Sequence, residues 1–251
     1  MKTFNKQIKF FRENGYLKIN INKSKFLLFK KYLADLIEKY YKKYVGRKIP
    51  KKNRVNFLIN RGLIELDKKD HKYLVEIYNQ IPTSTIFFNI INDEKLIKTI
   101  NHLMKRESKA NLLINSHSLR MDIPGITPFV YGWHQDSKSN LPNSKFIQAW
   151  MPAVTDITPE LGGLHILEKS FKYNNIKTTH NIIEKKRLAE GKPIRASHDV
   201  KLLNFKNFFK EKILPAKLGS VILFNNKLMH KSGVNKSKNK MRYVINCFYH
   251  D

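Results

Sequence analysis

A single cysteine, Cys247, in 251 residues excludes an internal disulfide, so the fold must rest on its apolar core. Such cysteine usage fits a reducing, cytoplasmic setting. No apolar run approaches the roughly 20 residues that span a bilayer. The opening stretch MKTFNKQIKFFRENG lacks an apolar h-region and a small-residue cleavage site, so no signal peptide is expected. Neither an internal repeat nor a Pro/Gly/Ser linker divides the chain. Acidic side chains are also scarce, 20 Asp and Glu against 48 Lys and Arg. The imbalance sits at the ends. Residues 1–60 hold 17 Lys/Arg against 3 Asp/Glu, residues 201–251 hold 11 against 2, and residues 61–199 are nearly balanced at 20 against 15. A basic surface of this kind suits an anionic partner. It also suits compositional drift, because Lys, Asn, Ile, Phe and Tyr are abundant together.

What is present is enough apolar material for one large domain over residues 1–251: 41% hydrophobic and 12% aromatic. The first part, residues 1–110, reads as mainly helical. NKSKFLLFKKYLADLIEKYYKKYVG places Phe26, Phe29, Leu33, Leu36, Ile37, Tyr40 and Tyr44 at helical spacing, with Asn22 or Ser24 to cap its start and Gly46 to end it. KDHKYLVEIYNQI and DEKLIKTINHLMKR are weaker helices, and these stripes are expected to face a core. From residue 111 the pattern shortens. NLLINSHSLRMDI, KFIQAWMPAV, GGLHIL, GSVILF and RYVINCFYH are β-rich and bounded by turn residues, which predicts an antiparallel sandwich or barrel. Residues 170–213 interrupt the strands with a polar insertion, the place for a lid. Cys247 lies in the last strand and is expected to be a buried apolar residue.

YGWHQDSKSN places His134 and Asp136 two residues apart. Two histidines and one carboxylate on one octahedral face make a non-haem Fe(II) site that leaves positions open for co-substrate and O2. His230, after an apolar strand and a short turn, can supply the third ligand. Arg242 opens the last strand and shares one face with Val244, Asn246 and Phe248. If that face lines a barrel, Arg242 is a buried cation that needs an anion, which a dicarboxylate co-substrate provides through a bidentate pair.

Three blocks, WHQD, AWMPAVTDITPELGGLHIL and LGSVILFNNKLMHKSGVNKSKNKMRY, together with the opening FNKQIKFFRENGYLKIN, resemble the phytanoyl-CoA dioxygenase family of Fe(II)- and 2-oxoglutarate-dependent oxygenases. The resemblance covers roughly residues 4–20 and 112–248. It implies a double-stranded β-helix, the jelly-roll or cupin-like barrel, mainly β, with N-terminal helices packed on one sheet. It implies His134, Asp136 and His230 as ligands of Fe(II), and Arg242 and Ser232 as partners of the distal carboxylate of 2-oxoglutarate. Gln135 and Trp150 would touch the co-substrate or its pocket wall, with Arg120 as a further candidate. The reaction implied is O2-dependent hydroxylation of a small molecule with release of succinate and CO2; the same chemistry can end in desaturation or epimerisation. Asp136 stands where a halogenase of related fold has Ala or Gly, which favours hydroxylation.

Where many members have a Pro-Gly-Ser-His turn after the GGLHIL strand, this chain has Glu168 to Phe171, so the substrate mouth is not inherited from the family. The basic ends lean toward an anionic substrate, phosphorylated, nucleotide-linked or CoA-linked, while sugar precursors and secondary metabolites stay open. Two other classes stay open: a non-catalytic β-barrel binding protein, and a nucleic-acid-binding protein using the basic surface. Against the second, no RRM, KH or zinc-finger motif is present. His165 is expected to be a strand histidine with its own hydrogen bond, and Gly162 and Gly163 to serve a turn.

Overall fold

The computed structural model of the protein describes residues 2–107, 109–125, 132–136, 146–173 and 208–251. Helix α1 (Lys2–Asn14) turns at Gly15 into strand β1 (Tyr16–Asn20), and α2 (Lys23–Tyr44) follows. Its start is fixed by Asn22, whose Oδ1 accepts from the Ser24 N–H at 3.0 Å and the Ser24 hydroxyl at 2.7 Å. At its end the Gly46 N–H returns to the Tyr41 carbonyl at 3.0 Å. The predicted stripe is buried at Phe26, Phe29, Leu33 and Ile37, joined by Ala34 and Tyr41, while Leu36, Tyr40 and Tyr44 pack partly buried at its edge.

Five shorter helices complete the layer: α3 (Arg54–Phe57), α4 (Leu63–Lys69), α5 (His71–Gln80), α6 (Thr85–Ile91) and α7 (Glu94–Leu103). A π-turn, Leu58–Gly62, joins α3 to α4. Side chains cap α5, α6 and α7 at Asp70, Ser84 and Asp93 respectively. No helix of the described residues is long and apolar enough to cross a membrane.

The strands follow as β2 (Leu113–Asp122), β3 (Phe146–Pro152), β4 (Leu164–Leu167), β5 (Glu211–Leu214), β6 (Ser220–Asn225), β7 (His230–Ser232) and β8 (Arg242–His250). They form two antiparallel sheets, a large one in the order β1-β6-β3-β8-β2 and a small one in the order β5-β4-β7. Strand alternation then divides the molecule. On the outer face of the large sheet, Leu17, Leu119, Ala149, Leu223, Ile245 and Cys247 pack with the helices in one core. On its inner face, Trp150, Ile222, Phe224 and Val244 meet Leu164 and Ile166 of the small sheet in a second core. This is the jelly roll with helices on one sheet that the sequence implied.

Two expectations need adjusting. The insertion begins later and ends earlier than its polar composition suggested, because Ser170–Lys172 forms a 3-10 turn and Glu211–Ile213 lies within β5. The rest of the proposed lid, residues 174–207, lies outside the described residues. The α5 stripe does not serve the core alone: Tyr73 and Ile77 are buried in it, but His71, Val75, Tyr78 and Asn79 border a cavity.

Candidate iron and co-substrate site

The two histidines are paired through their backbones. The His134 N–H donates to the His230 carbonyl at 2.9 Å, and the His230 N–H to the His134 carbonyl at 3.0 Å. This is an antiparallel hydrogen-bonded pair, which sends both side chains to one face, and their ring centroids lie 4.2 Å apart. Behind them, Trp133 packs with Met229 and Leu167, and the Lys231 ammonium sits 4.6 Å over its ring. The Glu168–Phe171 stretch also contributes here, since the Ser170 hydroxyl accepts the Met229 N–H at 2.8 Å and steadies the residue before His230. That departure from the family pattern has a structural use.

Asp136 completes the set. Its Oδ1 lies 3.7 Å from His134 Nε2 and its Oδ2 3.3 Å from His230 Nε2, and the ligating atoms of the three residues all fall within 4.8 Å of one another. Nδ1 of His134 reaches the Gly132 carbonyl at 2.7 Å, and Nδ1 of His230 the Leu228 carbonyl at 3.0 Å. A carbonyl can only accept, so each Nδ1 carries a proton, and in the neutral imidazole this leaves the Nε2 lone pair toward Asp136. Two imidazole nitrogens and one carboxylate converging from one side fit Fe(II) with an open face.

Two residues beyond His230 on the same face of β7 stands Ser232, which begins a second group. Arg120 Nη1 donates to the Ser232 hydroxyl at 2.7 Å, and Arg120 Nη2 reaches Asp122 Oδ1 at 3.2 Å. The other Asp122 oxygen accepts from Arg242 Nε at 2.8 Å. Arg242 Nη1 also donates to the carbonyls of Gly162 and Gly233. Asp122 and Arg242 sit opposite each other in the β2–β8 register. With 1% of its surface exposed, Arg242 is fully buried. Burial pulls its guanidinium down from the usual range; Asp122 opposes this, and the Arg120 charge adds to it.

The glycines near this group follow from close approach. A Cβ on Gly162, whose φ is +92°, would stand 2.4 Å from Arg242 Nη1, and one on Gly233 would stand 2.6 Å from the Gly163 carbonyl oxygen. Only bare backbone lets both carbonyls reach the guanidinium.

Between the triad and the helices lies a cavity of about 540 Å³. His134, Asp136, His230, Ser232, Arg120 and Trp150 all border it. Arg242 and Gln135 do not. Gln135 is buried and turned away, its Nε2 donating to the Lys227 carbonyl at 2.6 Å. His165 is also outside, on the opposite face of β4 from Leu164, with Nδ1 2.7 Å from Glu211 Oε1. Asn235 is a turn residue that donates to the Asp122 and Lys240 carbonyls. The sequence reading missed Asp122, Gly233, Ser118 and Gln148. Asp122 and Ser118 share the face of Arg120 by strand alternation, which was the signal available for them.

A jelly roll with this triad beside a guanidinium-lined cavity defines the class of non-haem iron oxygenases. The family model for phytanoyl-CoA dioxygenase matches residues 11–244, and the chain belongs to that family, an Fe(II)- and 2-oxoglutarate-dependent dioxygenase. Solved structures share the fold at low identity. The epimerase SnoN, in complex with Fe3+, alpha-ketoglutarate and nogalamycin RO, is 10% identical with a TM-score of 0.63, covering 100% of this chain and 84% of its own. The non-heme alpha-ketoglutarate-dependent carbocyclase SnoK is 16% identical with a TM-score of 0.58, covering 98% and 83%. EctD from S. alaskensis with bound Fe is 17% identical with a TM-score of 0.63, covering 98% and 75%. No curated protein matches the chain by sequence.

Proposed function

We propose that the protein hydroxylates an unactivated C–H of a small molecule, releasing succinate and CO2, with residues 1–251 acting as one catalytic unit in a cytoplasmic setting. The observation that supports this most is the placement of two groups on one cavity wall: the His134–Asp136–His230 triad, and the Arg120–Ser232 pair one strand step further along β7. Fe(II), when bound by the triad, supplies the redox chemistry that couples O2 and 2-oxoglutarate to C–H oxidation. The chain's own work is positional. The two Nδ1–carbonyl bonds hold the imidazoles in one tautomer, and the backbone pair fixes their separation. Ser232 and Arg120 would hold the far carboxylate of 2-oxoglutarate, leaving its keto-acid end for the triad. Trp150 walls the space between and keeps water out.

The resemblance gives Arg242 direct contact with that carboxylate. The side-chain positions favour a division of labour instead. Arg120 borders the cavity and meets the anion, while Arg242 lies behind it and holds Asp122 in place from below. Succinate release in the absence of substrate tests this. Arg120→Ala should raise the KM for 2-oxoglutarate at least tenfold and leave the melting temperature near that of wild type. Arg242→Ala should lose stability first, because Asp122 is left buried with a broken partner. A large KM effect confined to a well-folded Arg242→Ala would return the contact to Arg242.

The described cavity wall carries one guanidinium, and it is engaged with Asp122 and Ser232. The net charge of +28 is therefore not focused on the site by the described residues, and an anionic substrate draws no support from them.

A further inference from the structure

Three polar side chains on the large-sheet wall of the cavity are unused by the site as described. Gln148 is 5% exposed, borders the cavity and has no hydrogen-bond partner for its Oε1. Asn246 borders the same cavity, and its Oδ1 also lacks a partner. Ser118 borders it too. Strand register joins them. Ser118 and Trp150 lie on either side of Asn246, and Gln148 lies opposite Phe248 one step further along β8. Cross-strand neighbours of this kind stand about 5 Å apart, so the five side chains form one continuous patch of two carboxamides, a hydroxyl and two aromatic rings.

The patch is next to the triad. Gln148 is in register with Phe224 of β6, and the Phe224 ring centroid is 4.7 Å from that of His230. A buried carboxamide oxygen with no partner is costly, and native chains rarely keep one without a use. Two at adjacent register positions on a cavity wall are best explained by a ligand that satisfies them. A carboxamide offers both a donor and an acceptor, and a hydroxyl answers both from a neutral molecule through a single atom. Phe248 and Trp150 add apolar faces for the C–H side of a ring.

We propose that Gln148, Asn246 and Ser118 determine specificity, and that they select a neutral, polyhydroxylated ring, of the sugar or cyclitol class, as the substrate of the iron site. The substrate role rests on the dioxygenase function proposed above; the binding role does not. Hydroxyls hydrogen-bonded to Gln148 would hold the ring with one C–H toward the triad while the carboxamides screen against ligands that leave them unsatisfied.

The test is ligand-observed NMR on the full-length protein, without and with Fe(II) and 2-oxoglutarate. Three probes are used: methyl α-D-glucopyranoside, glucose 6-phosphate and cyclohexanol. The expected result is millimolar binding of the neutral glycoside, stronger than of the other two, and at least tenfold weaker in Gln148→Leu and Asn246→Leu. Gln148→Leu should also melt at or above the wild-type temperature, since it removes an unsatisfied buried amide; a merely structural glutamine would lower it. Binding of the phosphate or of cyclohexanol alone, binding of none of the three, or equal glycoside binding by wild type and Gln148→Leu would overturn the proposal. Glycoside binding that persists in a protein unable to bind iron and 2-oxoglutarate would sink the dioxygenase function and leave the carboxamide patch standing.

Discussion

Asp122 carries two guanidinium groups on one carboxylate, Arg120 toward the cavity and Arg242 toward the interior. Removing that charge leaves Arg242 buried without its counter-ion. Breaking a buried pair in this way costs roughly 3–5 kcal/mol, so Asp122→Asn is expected to show a strongly lowered denaturation midpoint by urea titration, with 2-oxoglutarate binding lost as well. A midpoint close to wild type would show that the carbonyls of Gly162 and Gly233 suffice for Arg242. Burial pushes the Cys247 thiol far above its ordinary range. The thiolate is the reactive form, so Cys247 should resist a disulfide reagent at pH 8 in the native protein and react stoichiometrically once unfolded. Arg242 was legible in the sequence because a cation on an inward strand face has to be answered. Its partner was not, since nothing in LRMDI distinguishes a strand-end aspartate in a turn from one buried under two arginines.

Helices and sheet are joined at the π-turn. There the Tyr243 hydroxyl donates to the Ile59 carbonyl and the Asn60 side chain accepts the Met241 N–H at 2.9 Å. A π-turn frees backbone groups from the helix ladder, and here the Ile59 carbonyl and the Asn60 side chain meet the two residues that flank Arg242. Asn60→Ala strands a backbone donor, and a loss of about 1–3 kcal/mol is expected, measurable by chemical denaturation; no loss would mean that water replaces the amide. The long elements were readable because their periodicity is long: the α2 stripe, and the strands that became β2, β3, β6 and β8. The three-residue β7, the four-residue β5 and the π-turn were not, because each is too short to show a period and exists through its partners. His230 illustrates this. Its identity and distance from Arg242 were visible, but what aims it is the backbone pair with His134, which no local pattern encodes. The two glycines that cradle Arg242 could be read only as turn residues, since close approach is a tertiary fact. Gly162→Ala should move the guanidinium off its carbonyls and lower the melting temperature by several degrees.

At the level of the whole molecule, the chain separates a general surface property from a specific site. The excess of lysine lies largely at the two ends of the sequence, whereas the cavity wall among the described residues carries two carboxylates, Asp122 and Asp136, and one engaged arginine among carboxamide, hydroxyl, aromatic, imidazole and aliphatic groups. If the positive surface were the functional feature, affinity for RNA or DNA would be high and would fall steeply with salt. The account predicts weak binding whose loss on adding salt is the same for wild type and His134→Ala. The jelly roll itself, with two cores sharing the large sheet, leaves a cavity bordered by the triad.

The most direct measurement is made without air: Fe(II) is added to the apo-protein, 2-oxoglutarate is titrated in, and the visible metal-to-ligand charge-transfer band is followed. The account predicts a saturable band, absent in His134→Ala and shifted to much higher 2-oxoglutarate concentration in Arg120→Ala. A folded wild-type protein that takes up iron at one site and shows no band at saturating 2-oxoglutarate would contradict it.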